Sequence, residues 1–430
     1  MKFIFFHLMP YQDLPGDFGE RYESVWVTPP NDELCDPVKV GRYYNEYLSQ
    51  LELADRVGFD GLGVNEHHQN AYGMMSSPNI MAGALARRTS QSSALCVMGN
   101  TLALYQPALR VAEEFAMLDC LSGGRLVAGF PVGTSMDVNH CYGITPGETR
   151  PRYFEAHDLI TQAWTRPGPF SFNGRFNKLR YVNPWPKPVQ KPFPPVWLGG
   201  NGSLETYEMA LQNNYVYTWT SFFGFQTGKR FMLDYWDMQE QMGLEYNPYQ
   251  GGFCQIVLVA DSDAEARRLY EPHTKYFFEN LQHTPLHFRS TPGYRTRRSA
   301  EFAIKSGTIG KVASQAKDTA SWEGMLEHGT VIAGGPDTVA EELRKACSEL
   351  RIGNFLAILH IGNMPDELTR MNVSLFGEKV IPKVRDLWDG HGYEHKWWPT
   401  GVVPRSPDGQ AGGQVDGQVV GSDSKVEVVS

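Results

Sequence analysis

The sequence predicts an α/β protein of the (β/α)8, or TIM-barrel, class, and three observations carry that expectation. Short apolar runs alternate with amphipathic helical segments almost from end to end, the runs number eight, and His, Asn, Gly and Ser gather where the runs stop. The runs fall at 2–8, 59–65, 95–101, 125–130, 195–199, 215–220, 253–260 and 354–360. They are nearly continuous in Phe, Ile, Val and Leu, as strands buried on both faces of a parallel sheet must be. A count of eight favours a closed barrel over an open sheet.

The helical segments between them justify the alternation. Residues 43–57 place Leu48, Leu51 and Ala54 at helical spacing and stop at Gly58. Segments 79–88 and 107–121 follow, the second halted by Ser122-Gly123-Gly124, a strong helix terminator. Segments 153–164, 203–212, 263–269 and 338–350 complete the set. Ser203 before Glu205, and Pro336-Asp337-Thr338 before Glu341 and Glu342, read as helix starts.

Three stretches depart from the repeat. Residues 167–194 are rich in Pro and aromatics around Asn173-Gly174 and read as a hairpin with an extended return. A long insertion at about 270–328 precedes the last strand and is expected to cover one end of the barrel. Residues 1–390 are therefore assigned to the barrel and 391–430 to a largely flexible extension, with Gly, Gln, Val, Ser and Asp dominating a disordered tail from Pro404.

Bulk properties exclude several function classes. Hydrophobic residues at 41% suffice for a large core, and a charge of −9 with both signs interspersed shows no basic face for nucleic acid. No apolar stretch approaches the ~18 residues of a membrane span. The N-terminal MKFIFFHLMP is short and broken by His7 and Pro10, so it reads as the first strand and not as a secretion signal. Six scattered cysteines without a CxxC pair fit a reducing, cytoplasmic setting.

In a barrel, chemistry belongs at the C-terminal strand ends. Gly199-Gly200-Asn201-Gly202-Ser203 opens a helix, a geometry that offers backbone N–H groups and a helix dipole to a phosphate. A plain glycine turn with a Ser cap is the alternative. Glu66-His67-His68 suggests acid/base chemistry or a metal. Adjacent strand residues point apart, which disfavours one ion held by both histidines, whereas a single strand-end His suits proton transfer. His7, Trp219, Phe222 and Phe223 lie at or just past strand ends and are expected to line a substrate pocket, with core packing the competing explanation.

The stretch from Gly58 to His68 (GFDGLGVNEHH) resembles the second-strand signature of the bacterial luciferase-like flavin monooxygenases. So do Gln106 to Glu114 (QPALRVAEE), Leu118 to Leu126 (LDCLSGGRL), the Pro-rich approach to Val196-Trp197-Leu198-Gly199-Gly200, and Gly334 to Ala340. The resemblance runs in order through about residues 1–387. It implies a barrel, usually a homodimer, taking reduced FMN (FMNH2) from a separate NAD(P)H-dependent flavin reductase and using O2 to oxygenate a small apolar or heteroaromatic substrate. His67 matches the family's active-site histidine, with Glu66 expected to orient it. Gly99 and Asn100 match the strand end that lies against the flavin ring, where a non-proline cis peptide often occurs. Gly200, Asn201, Gly202 and Ser203 match the phosphate loop. Pro131-Val132 stands where luciferases carry Cys-Arg, so that arginine's phosphate contact does not carry over; either another cation, Arg150 or Arg152, compensates or the phosphate relies on backbone amides. A deazaflavin-dependent dehydrogenase on the same fold and a non-catalytic flavin-binding protein are the alternative readings.

Overall fold

The computed structural model describes residues 1–220, 222, 224–305 and 321–405. Eleven strands occur among them: β1 (Lys2–His7), β2 (Gly61–Val64), β3 (Ala94–Val97), β4 (Leu126–Gly129), β5 (Phe170–Asn173), β6 (Lys178–Val182), β7 (Val196–Gly200), β8 (Val216–Trp219), β9 (Gly251–Val259), β10 (Val331–Gly334) and β11 (Asn354–Ile358). Strands β1, β2, β3, β4, β7, β8, β9 and β11 follow one another in parallel, and the β8–β9 pairing closes them into a barrel. These are the eight runs read from the sequence. Strands β5 and β6 form the expected antiparallel hairpin outside the barrel.

Strand β10 is an addition. Its partner β9 is nine residues long and pairs with β8 only through Gly251–Phe253, which leaves the same edge free further along. There Val331 to Gly334 pair with Ile256 to Val259. A four-residue run leading straight into Gly335-Pro336 reads as a helix start in the sequence, which hides the strand.

Local chemistry fixes the main helices. Pro37–Arg56 begins with Pro37 in its first turn and the Asp36 carboxylate accepting from Val38 and Lys39 N–H. Leu109–Ser122 stops at Gly123, whose φ of 67° breaks the helix as anticipated. The segment expected to end near 269 continues as Asp263–Tyr276 through Pro272. Tyr270 and Thr274, both buried, hold the helix on either side of that proline, the Tyr270 hydroxyl donating to the Val259 carbonyl (2.7 Å).

The described residues 270–305 of the insertion cover the C-terminal ends of the strands. Val25 N–H donates to the His283 carbonyl (2.8 Å), Thr291 meets Ser135 and His140, and the Tyr294 hydroxyl donates to the Gly133 carbonyl. At the opposite end the extension expected from 391 does not leave the barrel at once. Trp397 is buried and donates to the Asn214 carbonyl (2.9 Å), Gly401 N–H donates to Gly124 (2.8 Å), and Arg405 reaches the Phe59 carbonyl (2.9 Å). The aromatic residues of this stretch have apolar surface to bury, which the Gly-rich chain beyond lacks. The tail from 406 lies outside the described residues.

Candidate active site

The chain just past β2 sends three consecutive side chains to different partners. His67 Nδ1 lies 2.8 Å from Asp137 Oδ2, in the turn Met136–Cys141 beyond β4. Asp137 is buried and saturated: Thr134 Oγ1 donates to Oδ2 (2.7 Å), while His68 N–H (2.8 Å) and Trp26 Nε1 (3.2 Å) donate to Oδ1. Burial acts to raise this carboxyl, but His67 beside it and the hydrogen bonds it accepts hold it below the usual carboxylate range. An ionised Asp137 accepts a hydrogen bond from His67 Nδ1–H, which favours the tautomer with its lone pair on Nε2.

Glu66 does not orient His67, contrary to the sequence expectation. Its Oε2 accepts from Asn100 N–H (3.2 Å) and Thr101 N–H (2.5 Å), and its Oε1 from the Tyr105 hydroxyl (2.6 Å). Its Oε1 also lies 3.2 Å from His68 Nε2. Burial would raise the Glu66 carboxyl, yet His68, the Thr101 N–H and Tyr105 hold it low. Glu66 therefore ties the end of β3 to the end of β2. With His68, Tyr105, Arg110 and Tyr142 it faces a cleft of about 630 Å3. The reason is strand-like alternation: neighbours in sequence point apart, so the group that holds His67 had to come from elsewhere.

Gly99 and Asn100 sit where Glu66 grips them. A Cβ on Gly99 would lie 2.6 Å from Glu66 N, so β2 and β3 approach closely here. The cis peptide bonds among the described residues all precede proline, and Gly99-Asn100 is not one of them. The unusual geometry falls instead on Asn100, fully buried with φ of 97° and its side-chain amide donating to Asn79 Oδ1 (2.8 Å).

Aromatic rings surround His67. Tyr72 packs edge-on at 4.9 Å and Trp26 at 5.9 Å, and these two stack on each other at 5.0 Å. Phe222, half-buried, reaches Tyr72 at 6.1 Å and Phe277 at 5.2 Å. Phe222 thus joins the His67 cluster, while Phe223 lies outside the described residues. The other two expected pocket residues belong to the core. His7 is fully buried, 2.8 Å from Gln50 Oε1 and stacked on His360, and burial pushes its imidazole down to about 4. Trp219 is fully buried and stacks on Phe253 at 4.8 Å. Both point inward from strand ends, where position alone does not distinguish wall from core.

The glycine-rich turn after β7 fits an anion. Gly202 has φ of 83°, and a Cβ there would collide with the Phe231 ring at 2.0 Å. Arg150 Nη2 donates to Ser203 Oγ (3.1 Å), and Ser203 Oγ lies 2.7 Å from Thr206 Oγ1. Arg150 is 9% exposed, and its Nε is buried with no hydrogen-bond partner. A buried cation with an unused donor beside a helix N-terminus suits a phosphate. Arg152 turns away to Glu148 (3.2 Å). Between the two halves stands Tyr294, whose hydroxyl burial pushes up, with Arg150 opposing and Asp137 reinforcing. The residues present fit a phosphate-bearing flavin.

Asp137, Tyr72, Trp26, Phe277 and Tyr294 were not read from the sequence. Asp137 lies 70 positions from His67 and outside any motif, so its detection needed the fold.

The barrel mouth carries an aspartate-held histidine on one side and a buried arginine beside a glycine-rich turn on the other, and the chain belongs to the luciferase-like monooxygenase family, whose model matches residues 26–351. It is 27% identical over 184 residues to the oxygenase component of a flavin-dependent trigonelline monooxygenase from Acinetobacter baylyi, covering 42% of this chain and 50% of that protein. It is 28% identical over 172 residues to an F420-dependent glucose-6-phosphate dehydrogenase from Kineococcus radiotolerans, covering 38% and 50%. The chain thus matches about half the length of these curated relatives. Its fold superposes on the oxygenating constituent of 3,6-diketocamphane monooxygenase from Pseudomonas putida in complex with FMN, with a TM-score of 0.65, 19% identity, and coverage of 89% of this chain and 99% of that one.

Proposed function

We propose that this chain is the oxygenase component of a two-component flavin monooxygenase. It takes reduced FMN from a separate NAD(P)H-dependent reductase, works as a cytoplasmic homodimer, and oxygenates a small apolar or heteroaromatic molecule. The observation that carries this reading is the His67–Asp137 pair, held at 2.8 Å at the mouth that also bears Arg150 and the Gly200–Ser203 turn.

Reduced FMN, when bound, supplies the electrons that activate O2. Arg150, Ser203 and the backbone of Gly200, Asn201 and Gly202 would hold its phosphate. Gly99 and Asn100, fixed by Glu66, would back its ring. His67 Nε2 is the proton-handling atom. Asp137 keeps the proton on Nδ1 and stabilises the ring when it becomes cationic, a general acid–base arrangement. Trp26, Tyr72 and Phe277 pack behind His67 and exclude water, and half-buried Phe222 presents apolar surface to the substrate. The match to an F420-dependent dehydrogenase supports the second reading, a deazaflavin enzyme that does not use O2.

The test is anaerobic titration with reduced FMN and, separately, with a reduced deazaflavin, followed by mixing with 18O2 and a panel of heteroaromatic and cyclic ketone substrates. Tight binding of reduced FMN with label entering product is the expected result. Binding of the deazaflavin alone, with substrate oxidised and no oxygen consumed, would replace the monooxygenase by the dehydrogenase.

A further inference from the structure

The insertion helix Arg297–Lys305 and the turn before it rest on the N-terminus of the helix Leu204–Gln212, at the phosphate cradle itself. Three contacts make that seat. Thr296 Oγ1 donates to Glu205 Oε1, Ser299 Oγ donates to Glu205 Oε2, and Leu204 N–H donates to Ser299 Oγ (3.2 Å). Arg298 adds an exposed pair with Glu208 at 2.6 Å.

Glu205 has two suitors. Arg150 is the natural partner of a carboxylate so near, yet its Nη1 stays 4.0 Å from Glu205 Oε2. Each Glu205 oxygen accepts one insertion hydroxyl, and the pair with Arg150 stays beyond hydrogen-bond length. Arg150 instead touches Ser203 Oγ and keeps a buried, unpartnered Nε. A cation held beyond hydrogen-bond length from its carboxylate keeps donors for another anion.

We infer that Glu205 couples closure of the insertion to the phosphate site: Thr296 and Ser299 hold Glu205 when the insertion is seated, which keeps it out of hydrogen-bond contact with Arg150 and leaves the guanidinium donors to the flavin phosphate. With the insertion lifted, Glu205 draws up to Arg150 and takes the donors the phosphate would use. Closure therefore arms the site. By linkage, a phosphate-bearing flavin stabilises the closed insertion to the same extent. The flavin ring without its phosphate does not. This coupling rests on the proposed use of FMN, and its predictions separate the two.

The experiment is a mutant cycle read by binding. Anaerobic affinities for reduced FMN and reduced riboflavin are measured on the full-length protein, together with hydrogen exchange over 294–305. In the native protein FMN, but not riboflavin, slows exchange in that segment. The pair Thr296→Val with Ser299→Ala weakens FMN roughly tenfold, within the usual range of coupling between sites, and leaves riboflavin unchanged. Adding Glu205→Gln restores FMN affinity, because Arg150 then has no competitor to escape. If the insertion variants weaken FMN and riboflavin alike, or if Glu205→Gln fails to restore FMN, the coupling is overturned while the flavin enzyme stands. If native protein binds FMN no better than riboflavin, the phosphate cradle and the coupling fall together. Binding no flavin at all removes the functional reading as well.

Discussion

The two ends of the barrel use charge in opposite ways. At the end where the strands begin, both Asp60 carboxylate oxygens accept from Arg385 Nη1 (2.8 Å each), and Asp60 also takes the Lys2 ammonium (3.2 Å) and Phe3 N–H (2.9 Å). Arg125, fully buried, donates to the carbonyls of Ala86, Ser90, Ser93 and Ser122 and to Thr89 Oγ1. At the mouth, Asp137 is just as saturated, but what it holds is a histidine with a lone pair to spare, and Arg150 keeps an unused donor. Asp60 and Arg125 spend their hydrogen bonds on the fold. Arg150 and His67 keep some for a ligand. A closed barrel permits this division, because the sheet's stability does not depend on the loops at either end.

The sharpest way to test the division is at His67. His67→Ala should lower oxygenated product per reduced flavin by a factor on the order of 10² to 10⁴, the usual worth of a positioned acid or base. The urea midpoint should stay near that of the native protein, since His67 is at the mouth and only part-buried. Asp137→Asn should follow at roughly a hundredfold, since the amide can still bond to Nδ1 but no longer favours a cationic ring. Asp137 acts through His67, so the pH profile of turnover should also shift. An unchanged profile would reduce Asp137 to a structural prop.

The floor should answer in reverse. Arg125→Met strands several buried carbonyls and should cost about 3 kcal/mol or more of stability, read as a lowered urea midpoint, with flavin binding intact in the folded fraction. A variant that lost flavin binding at full stability would break the comparison.

Acid should discriminate the core from both ends. Burial pushes His7 and His157 down to about 4 and His395 to about 3. Free imidazoles take up protons near pH 6.5, so between there and pH 4 the unfolded chain binds more protons than the folded one. Stability is then fully present above about pH 6.5 and falls as the pH drops toward 4, by at most about 3 kcal/mol from His7. Thermal melts of native protein and His7→Gln across pH 4–7 should show the variant losing less on acidification. Equal slopes would remove His7 from that account.

Legibility from sequence followed the same physics. The barrel strands announce themselves as apolar runs because both faces are buried, and Gly202 announces a tight turn because few other residues tolerate its backbone. Asp137 had no such mark. It works across a gap that only strand order closes, β4 lying two places from β2. Glu66 was misread because adjacency in sequence suggested a partnership that alternating side chains forbid. His7 and Trp219 show the converse: the end of a strand is the right address, but an inward-pointing ring there enters the core.

Phe222 tests the finest distinction, between a ring that shapes the mouth and one that holds the fold. It is half-buried, touches Tyr72 and Phe277, and so has one face on the His67 cluster and another not covered by the described residues. Truncating a fully buried phenylalanine typically costs 3–5 kcal/mol, about what Phe277→Ala should lose. Phe222→Ala should lose about 1 kcal/mol or less of stability, because much of its area is still in water before substrate arrives. Its effect belongs in binding: KM for an aromatic substrate should rise roughly tenfold, while product per reduced flavin at saturation stays close to native. If kcat fell with KM unchanged, Phe222 would be aligning the substrate for reaction and not merely receiving it. If neither moved, the substrate would approach His67 from the other side, past Trp26, and the same pair of measurements on Trp26→Phe would show it.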